Sequence, residues 1–259
     1  MARHKAPVVT CHFMTTSLTV KILLILVVAG GIFLYKYFKG QKGSSKVTEN
    51  TTQTPPDFYS INDGNQTELI FAPDYNKQWF DELDKKYSWD NFGRSDNRFF
   101  EYMYNLFDTL PALAKGQTKS DRDFFNKLTR GQKVFYSVLV FGGDTDNGGV
   151  YQFFFNRPEF CFAALEAFKE LKLDTLAKDY EKCLNEFIGT ADSYGKRKEI
   201  FNDPKFSWEE KAKSFQDGYS EVKSAKVIED YFYTDDFKKV YYKTVVDYID
   251  NNLDQFVRK

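Results

Sequence analysis

Between residues 18 and 38 the chain is apolar except for Lys21 and Lys36, whereas beyond Pro73 apolar positions recur at three- and four-residue spacings. The two patterns have different physical uses. An unbroken run of about 20 residues is long enough to cross roughly 30 Å of hydrocarbon, and lysines at its edges extend their stems to leave their ammonium groups among the headgroups. Tyr35, Tyr37 and Phe38 fall where aromatic rings favour the interface. The bulky Leu34-Tyr35-Lys36-Tyr37 offers no small-x-small cleavage site, so the segment reads as a retained anchor rather than a signal peptide. The expected layout is a basic segment 1–17, a single transmembrane helix 18–38, a flexible linker 39–57 and a helical domain 58–259. Arg3, Lys5 and Lys21 lie in front of the anchor and Lys36, Lys39, Lys42 and Lys46 behind it. That excess leans towards a cytoplasmic domain, but short anchors often translocate the domain behind them, so the side stays open.

The spaced pattern predicts helices. Residues 75–87 and 96–110 are amphipathic, the second stretch with Ser95 as N-cap and Pro111 as its stop. Thr129-Arg-Gly131-Gln132 reads as a capping box, opening a helix with Val134, Phe135, Val138, Leu139 and Phe141 inward and an end near Gly142-Gly143. Asn147-Gly148-Gly149 then reads as a sharp turn, both glycines taking backbone angles that other residues avoid. The amides of Asn147, Gln152 and Asn156 suit its free backbone groups. Residues 150–156 follow as a short aromatic helix, and Pro158 suits the first turn of the next. In that helix Cys161, Ala164, Leu165, Phe168 and Leu171 form one stripe; Asp174 caps a partner helix bearing Leu176, Tyr180, Cys183, Leu184 and Phe187, which Gly189 ends. Ser207 and Glu210 make a second capping box, and residues 234–256 a long last helix with Phe237, Tyr241, Val245, Tyr248, Leu253 and Phe256 inward. Only residues 67–72 read as a short extended piece. The predicted fold is all-α, a compact multi-helix domain behind its anchor and tether.

Composition narrows the chemistry. Aromatic residues make up 18% of the chain, so core material is plentiful. The net charge of -1 hides a basic front: residues 1–46 hold seven basic and no acidic side chains, leaving 36 − 7 = 29 basic against 37 acidic, a net of -8, behind them. Such a body repels nucleic acid, which needs clustered cations, so no direct nucleic-acid binding is expected. The two histidines, His4 and His12, both precede the anchor, which removes an imidazole base and His-ligated metals from the body. Cys11, Cys161 and Cys183 are too scattered for a thiolate metal site or a disulfide framework, and the two later ones read as small buried hydrophobes. No phosphate-binding or dinucleotide glycine motif is present. No cofactor and no catalytic residues are expected.

Three constellations remain. Asp144-Thr-Asp146-Asn-Gly-Gly149 resembles the front of a calcium loop, but Phe155 stands where a bidentate Glu belongs, so no metal is expected there. Asp247, Asp250 and Asp254 share a helix face behind Glu229, Asp230, Asp235 and Asp236; with Asp144 and Asp146 they make a candidate acidic binding surface. An ordinary solvated face is its plainer reading, since Lys238, Lys239 and Lys243 interrupt it. Phe153-Phe154-Phe155 could line a pocket, and core packing is the plainer reading there too.

Leu128, Thr129, Gly131, Tyr136, Asn147, Gly148, Gly149, Gln152, Phe154, Asn156, Ala163, Ala164, Leu165 and Ala177 carry a pattern around N-G-G-x-x-Q-x-x-x-N. It resembles the C-terminal domain of the bacterial DNA-mimic-protein family, with a core at about residues 128–177. The resemblance implies an all-helical domain without a catalytic role; the family's best-known member imitates duplex DNA towards DNA-binding proteins. Two features depart from it: a charge of -8 is modest for imitating phosphates, and an anchor restricts access to chromosomal partners. The expectation is a non-enzymatic, membrane-anchored binding protein that offers a partly acidic surface to a protein partner, in DNA mimicry or an immunity-type role. The alternative is an envelope carboxylate-dependent hydrolase or small-ligand sensor built on Asp144 and Asp146, which requires both at one pocket.

Overall fold

A computed structural model of the chain describes residues 58–87 and 97–259; the segments 1–17, 18–38 and 39–57 and Ser95 lie outside them. Among the described residues every regular element is helical, and none is long and apolar enough to cross a membrane. Residues 67–72 form no strand; extended pairing is limited to an isolated parallel bridge between Asp74 and Arg258.

Side-chain caps set half of the described helix starts. Asn76 accepts from the Trp79 N–H at the head of α1 (Lys77–Lys86), and Asn97 does the same for Phe99 at α2 (Arg98–Tyr102). That helix then widens into a π turn, Met103–Phe107. Pro111 does not stop it as expected. It sits in the first turn of a separate short helix, α3 (Leu110–Leu113), where its missing N–H costs nothing. Ser120 caps α4 (Asp121–Lys127) and Thr129 caps α5 (Arg130–Gly148). After α6 (Val150–Asn156), a 3-10 turn with Pro158 at its head leads into α7 (Cys161–Glu170). The hairpin bend puts Lys172 at φ 56 before α8 (Asp174–Gly189). Asp174 lies inside this helix and makes no capping hydrogen bond, so its contribution is a negative charge in the first turn. Four helices complete the domain: α9 (Ala191–Asn202), α10 (Trp208–Glu221), α11 (Ala225–Phe232) and α12 (Asp235–Asp250). The expected single helix over 234–256 breaks at Asp250, and a 3-10 turn, Leu253–Gln255, brings Phe256 back to the core.

The centre is α5. It does not end at Gly142-Gly143 but runs through both to Gly148. Two glycines inside a helix cost about 1 kcal/mol each relative to alanine. At Gly142 α12 lies close: a Cβ there would make ordinary contact with the Tyr241 hydroxyl and ring, leaving little room for a longer side chain. α6 and α7 pack along α5, with α8 beyond α7. Phe141 meets the rings of Phe153, Phe168, Tyr180 and Phe232 edge-on at centroid distances of 4.9–5.5 Å, joining α6, α7, α8 and α11 in one cluster. Such pairs contribute about 0.5–1.5 kcal/mol each beyond the area they bury. Phe153, Phe154 and Phe155 are all buried in this core. Cys161 and Cys183 are buried free thiols, and the intervening Tyr180 donates its hydroxyl to the Cys161 carbonyl at 2.9 Å.

The irregular segment 58–75 is stitched over α5 and α7. Lys133, fully buried, donates to the carbonyls of Asp63 (2.6 Å) and Asn65. Glu166 accepts from the Ser60 hydroxyl and the Ile61 N–H at 2.7 and 2.8 Å. Burial lowers the Lys133 pKa to about 8.

Candidate functional site

The residues singled out in the sequence fall at the two ends of α5. At its start, Thr129 Oγ1 accepts from Gln132 N at 3.2 Å while Gln132 Oε1 accepts from Thr129 N at 2.9 Å, the reciprocal capping box. Gln132 then donates its Nε2 to the Phe71 carbonyl, which ties segment 58–75 to the helix. Thr129 donates its hydroxyl to the Gln255 carbonyl at 2.8 Å, and Gly131 N donates to Gln255 Oε1 at 2.6 Å. A Cβ on Gly131 would stand 3.0 Å from Gln255 Oε1 and from the Phe256 ring. The C-terminal turn thus packs closely onto the helix backbone, and a side chain there would oblige Gln255 or Phe256 to shift.

At the far end, only Gly149 has the unusual backbone, with φ 88. Gly148 is helical, and its lack of a side chain serves a different purpose: a Cβ would overlap the Gln152 amide. One at Gly149 would overlap Glu229 Oε1 as well as suffer strain. Glu229 reaches in from α11 to accept the Val150 N–H at 2.8 Å, capping α6 from outside its own sequence, and its other oxygen accepts from the Tyr219 hydroxyl. Asp144 accepts from Asn156 Nδ2 at 2.7 Å and Gln152 Nε2 at 3.4 Å, with Arg157 Nε 4.0 Å away. Burial pushes its carboxyl above the ordinary range, and those partners oppose the shift. Asn147 is exposed and takes no part in the turn's hydrogen bonding.

Most of the acids singled out as a candidate binding surface have partners within the domain. Asp146 pairs with Lys238 at 2.5 Å, whose ammonium lies 3.8 Å over the Phe232 ring. Asp230 pairs with Lys226 and Asp247 with Lys243, each one helical turn away. Asp250 accepts from the buried Tyr102 hydroxyl and from Arg98, tying α12 to α2. Burial raises its pKa against both of those partners. Asp235 and Asp236 occupy the first turn of α12, where negative charge is favourable. Asp236 and Asp254 are exposed with no ion-pair partner among the described residues.

Catalysis by a carboxylate pair finds no support in this geometry. Asp144 turns towards α6 and Asp146 towards α12, so the two do not share a pocket. The calcium-loop spacing is wound into helix, and no group of three or more His, Cys, Asp or Glu among the described residues is placed to hold a metal ion. Sequence reasoning missed the partners rather than the motif. Gln255, Glu229 and Phe71 lie far from it along the chain; the charge pattern marks Glu229 only as a surface acid, and nothing local marks any of the three as a partner.

Residues 126–252 match the model of a family described as DMP19-like protein, a DNA-mimic family. The match runs from the end of α4 to the turn after α12 and leaves out segment 58–75 and the Gln255 turn. No curated protein and no solved structure matches the chain.

Proposed function

We propose that this chain is a non-enzymatic binding protein whose helical body engages a protein partner, with residues 18–38 holding it at a membrane. The observation that carries this reading is the family-model match over residues 126–252, because it covers the helices that build the core. DNA mimicry is its sharper form. The carboxylates at the α5–α6 joint are occupied in holding helices together, so the surface offered to a basic partner consists of exposed acids such as Asp236 and Asp254 that make no ion pair among the described residues. A partner bound through such groups is steered by long-range attraction and weakens as salt rises.

Affinity capture with the full-length chain from its own cells, at low and high salt, tests the reading. A specific partner that is lost at high salt, and that Asp236→Lys with Asp254→Lys fails to retain, is expected. Absence of any specific partner, or one indifferent to both salt and those substitutions, overturns it. Fluorescent-protein and phosphatase reporters fused after Lys259 decide which partners can meet the body: fluorescence alone keeps DNA-binding proteins in play, and phosphatase activity alone removes them.

A further inference from the structure

Within the segment stitched over α5 and α7, residues 58–66 are held in the manner of a bound peptide. Burial alternates at their start: Tyr59 and Ile61 are buried, Ser60 is half-buried and Asn62 is exposed. A period of two is that of an extended chain. The Tyr59 ring stacks on Phe125 at 5.0 Å and meets Phe160 edge-on at 4.8 Å. The body also binds the main chain. Tyr59 N and Asn65 N donate to the carbonyls of Glu159 (2.7 Å) and Asn126 (2.6 Å), and the Gln66 carbonyl accepts from Arg130 N at 3.1 Å. Charged side chains add to this grip. Arg122 donates to the Phe58 carbonyl at 3.0 Å, Lys133 to those of Asp63 and Asn65, and Glu166 accepts the Ser60 hydroxyl and the Ile61 N–H. Main-chain bonds that supply affinity, with pockets for alternate side chains that supply selectivity, are how proteins grip extended peptides. Recogniser and occupant come from different parts of the chain. Asn126, Arg130, Lys133, Glu159, Phe160 and Glu166 fall within the family match, and residues 58–66 fall outside it.

We propose that the face shared by α4, α5 and α7 is a peptide-binding groove, closed in cis by residues 58–66, which a partner protein opens by seating an extended segment of its own. The occupant defines what fits: an aromatic, a hydroxyl and an aliphatic residue in succession, then a turn through an acid and a glycine. Gly64, at φ 60, lies so close to Asn126 that a Cβ would come within 2.5 Å of its carbonyl oxygen, so the turn demands glycine. Thr67 and Glu68 are the hinge. Both are exposed, and their N–H groups turn back to Asn65 Oδ1 rather than to the body. Residues 58–66 therefore lift away while Phe71 stays buried. Held by so short a hinge, they compete at an effective concentration on the order of millimolar, which keeps weak ligands out. This rests on the reading that the body engages a protein, and it adds how entry is controlled.

The test is fluorescence anisotropy of a labelled synthetic peptide of residues 58–68, titrated with the full chain in uncharged detergent. One substitution should act with opposite signs on the two sides. Ser60→Ala in the chain weakens the cis-occupant and should tighten peptide binding roughly tenfold, the worth of its hydrogen bond to the Glu166 carboxylate. Ser60→Ala in the peptide should weaken binding by the same factor, and Ile61→Asp in the peptide should abolish it. Hydrogen exchange on the unaltered chain supplies the second readout: the N–H groups of Tyr59 and Ile61 should exchange through a local opening, ahead of those of α5. No saturable binding to the Ser60→Ala chain, undiminished binding of the Ile61→Asp peptide, or exchange of Tyr59 and Ile61 by global unfolding alone would each overturn the proposal. Concentration-dependent dimers that exchange residues 58–66 would give the groove to a second copy and overturn the assignment to a partner protein. The titration involves neither Asp236 nor Asp254, so the groove and the salt-sensitive surface can fail separately.

Discussion

At the α5–α6 joint each carboxylate meets donors: Asp144 takes Asn156 and Gln152, Asp146 takes Lys238, and Glu229 takes Val150 N and Tyr219. Between α9 and α10 the pairing is sparser: Arg197 donates to Glu221 and also meets the Tyr151 hydroxyl from α6, while the buried Ser214 Oγ meets no partner. The difference separates two uses of polar groups in an interior. A densely connected network fixes one arrangement of helices, while a buried group left without a partner, such as Ser214 Oγ or Thr145 Oγ1, adds nothing to that arrangement. Residues that stand out as a sequence signature therefore mark where this fold is held together. The groups free to recognise something else lie outside that signature.

Breaking the joint should produce the largest effect. Gly149→Ala places a Cβ against Glu229 at a backbone angle that disfavours it, and should cost roughly 3 kcal/mol in denaturant unfolding. A cost under about 1 kcal/mol would show that α6 can re-seat without its external cap. Glu229→Ala removes that cap and leaves the Val150 N–H and Tyr219 hydroxyl unpaired, for an expected loss of about 2 kcal/mol. Since both changes act at one contact, the double variant should lose less than the sum. Additive losses would mean the two residues serve separate joints.

The Lys133 stitch gives a pH test of the same contrast, because its ammonium is satisfied yet still penalised by burial. Its folded pKa of about 8 lies below the ordinary unfolded value of about 10.4. Between those values the unfolded chain binds more protons, so this group makes stability rise with pH from about 8 towards 10. Above about 10 the buried tyrosines, whose pKa values burial raises, act with the opposite sign. Lys133→Met should flatten the slope between pH 8 and 10, measured by unfolding midpoints; an unchanged slope would assign it to other groups. The smallest effect belongs to the surface. Asp236→Asn and Asp254→Asn should leave stability within about 0.5 kcal/mol of the parent, and a larger change would show that these acids too belong to the scaffold.

The helical class, both capping boxes and the bounds of the aromatic helix 150–156 were readable from spacing and cap residues, because they depend on neighbours within four positions. Helix ends were harder. Gly142 and Gly143 look like a stop until α12 is seen lying against Gly142, and the break of the last helix at Asp250 depends on where Phe256 must return. The partners of the acids were the least legible feature. Charge spacing shows which carboxylates share a helix face, but Tyr102 and Arg98, the partners that absorb Asp250, come from α2 almost the whole domain away. Arg197 gave no signal at all within its Lys196-Arg197-Lys198 run, since what distinguishes it is burial.

The bridge that joins Asp74 to Arg258 also bears on how the chain is made. Tyr75 N donates to the Arg258 carbonyl, and Arg258 N returns a bond to Pro73 at 2.9 Å. A ribosome delivers residues 73–75 long before residue 258, a delay of roughly ten to forty seconds at ordinary synthesis rates. Throughout that interval the backbone of residues 73–75 lacks the partners that it has in the finished domain. The domain thus closes last at its own beginning, and a nascent chain halted before Arg258 should be the form that chaperones and proteases find most easily.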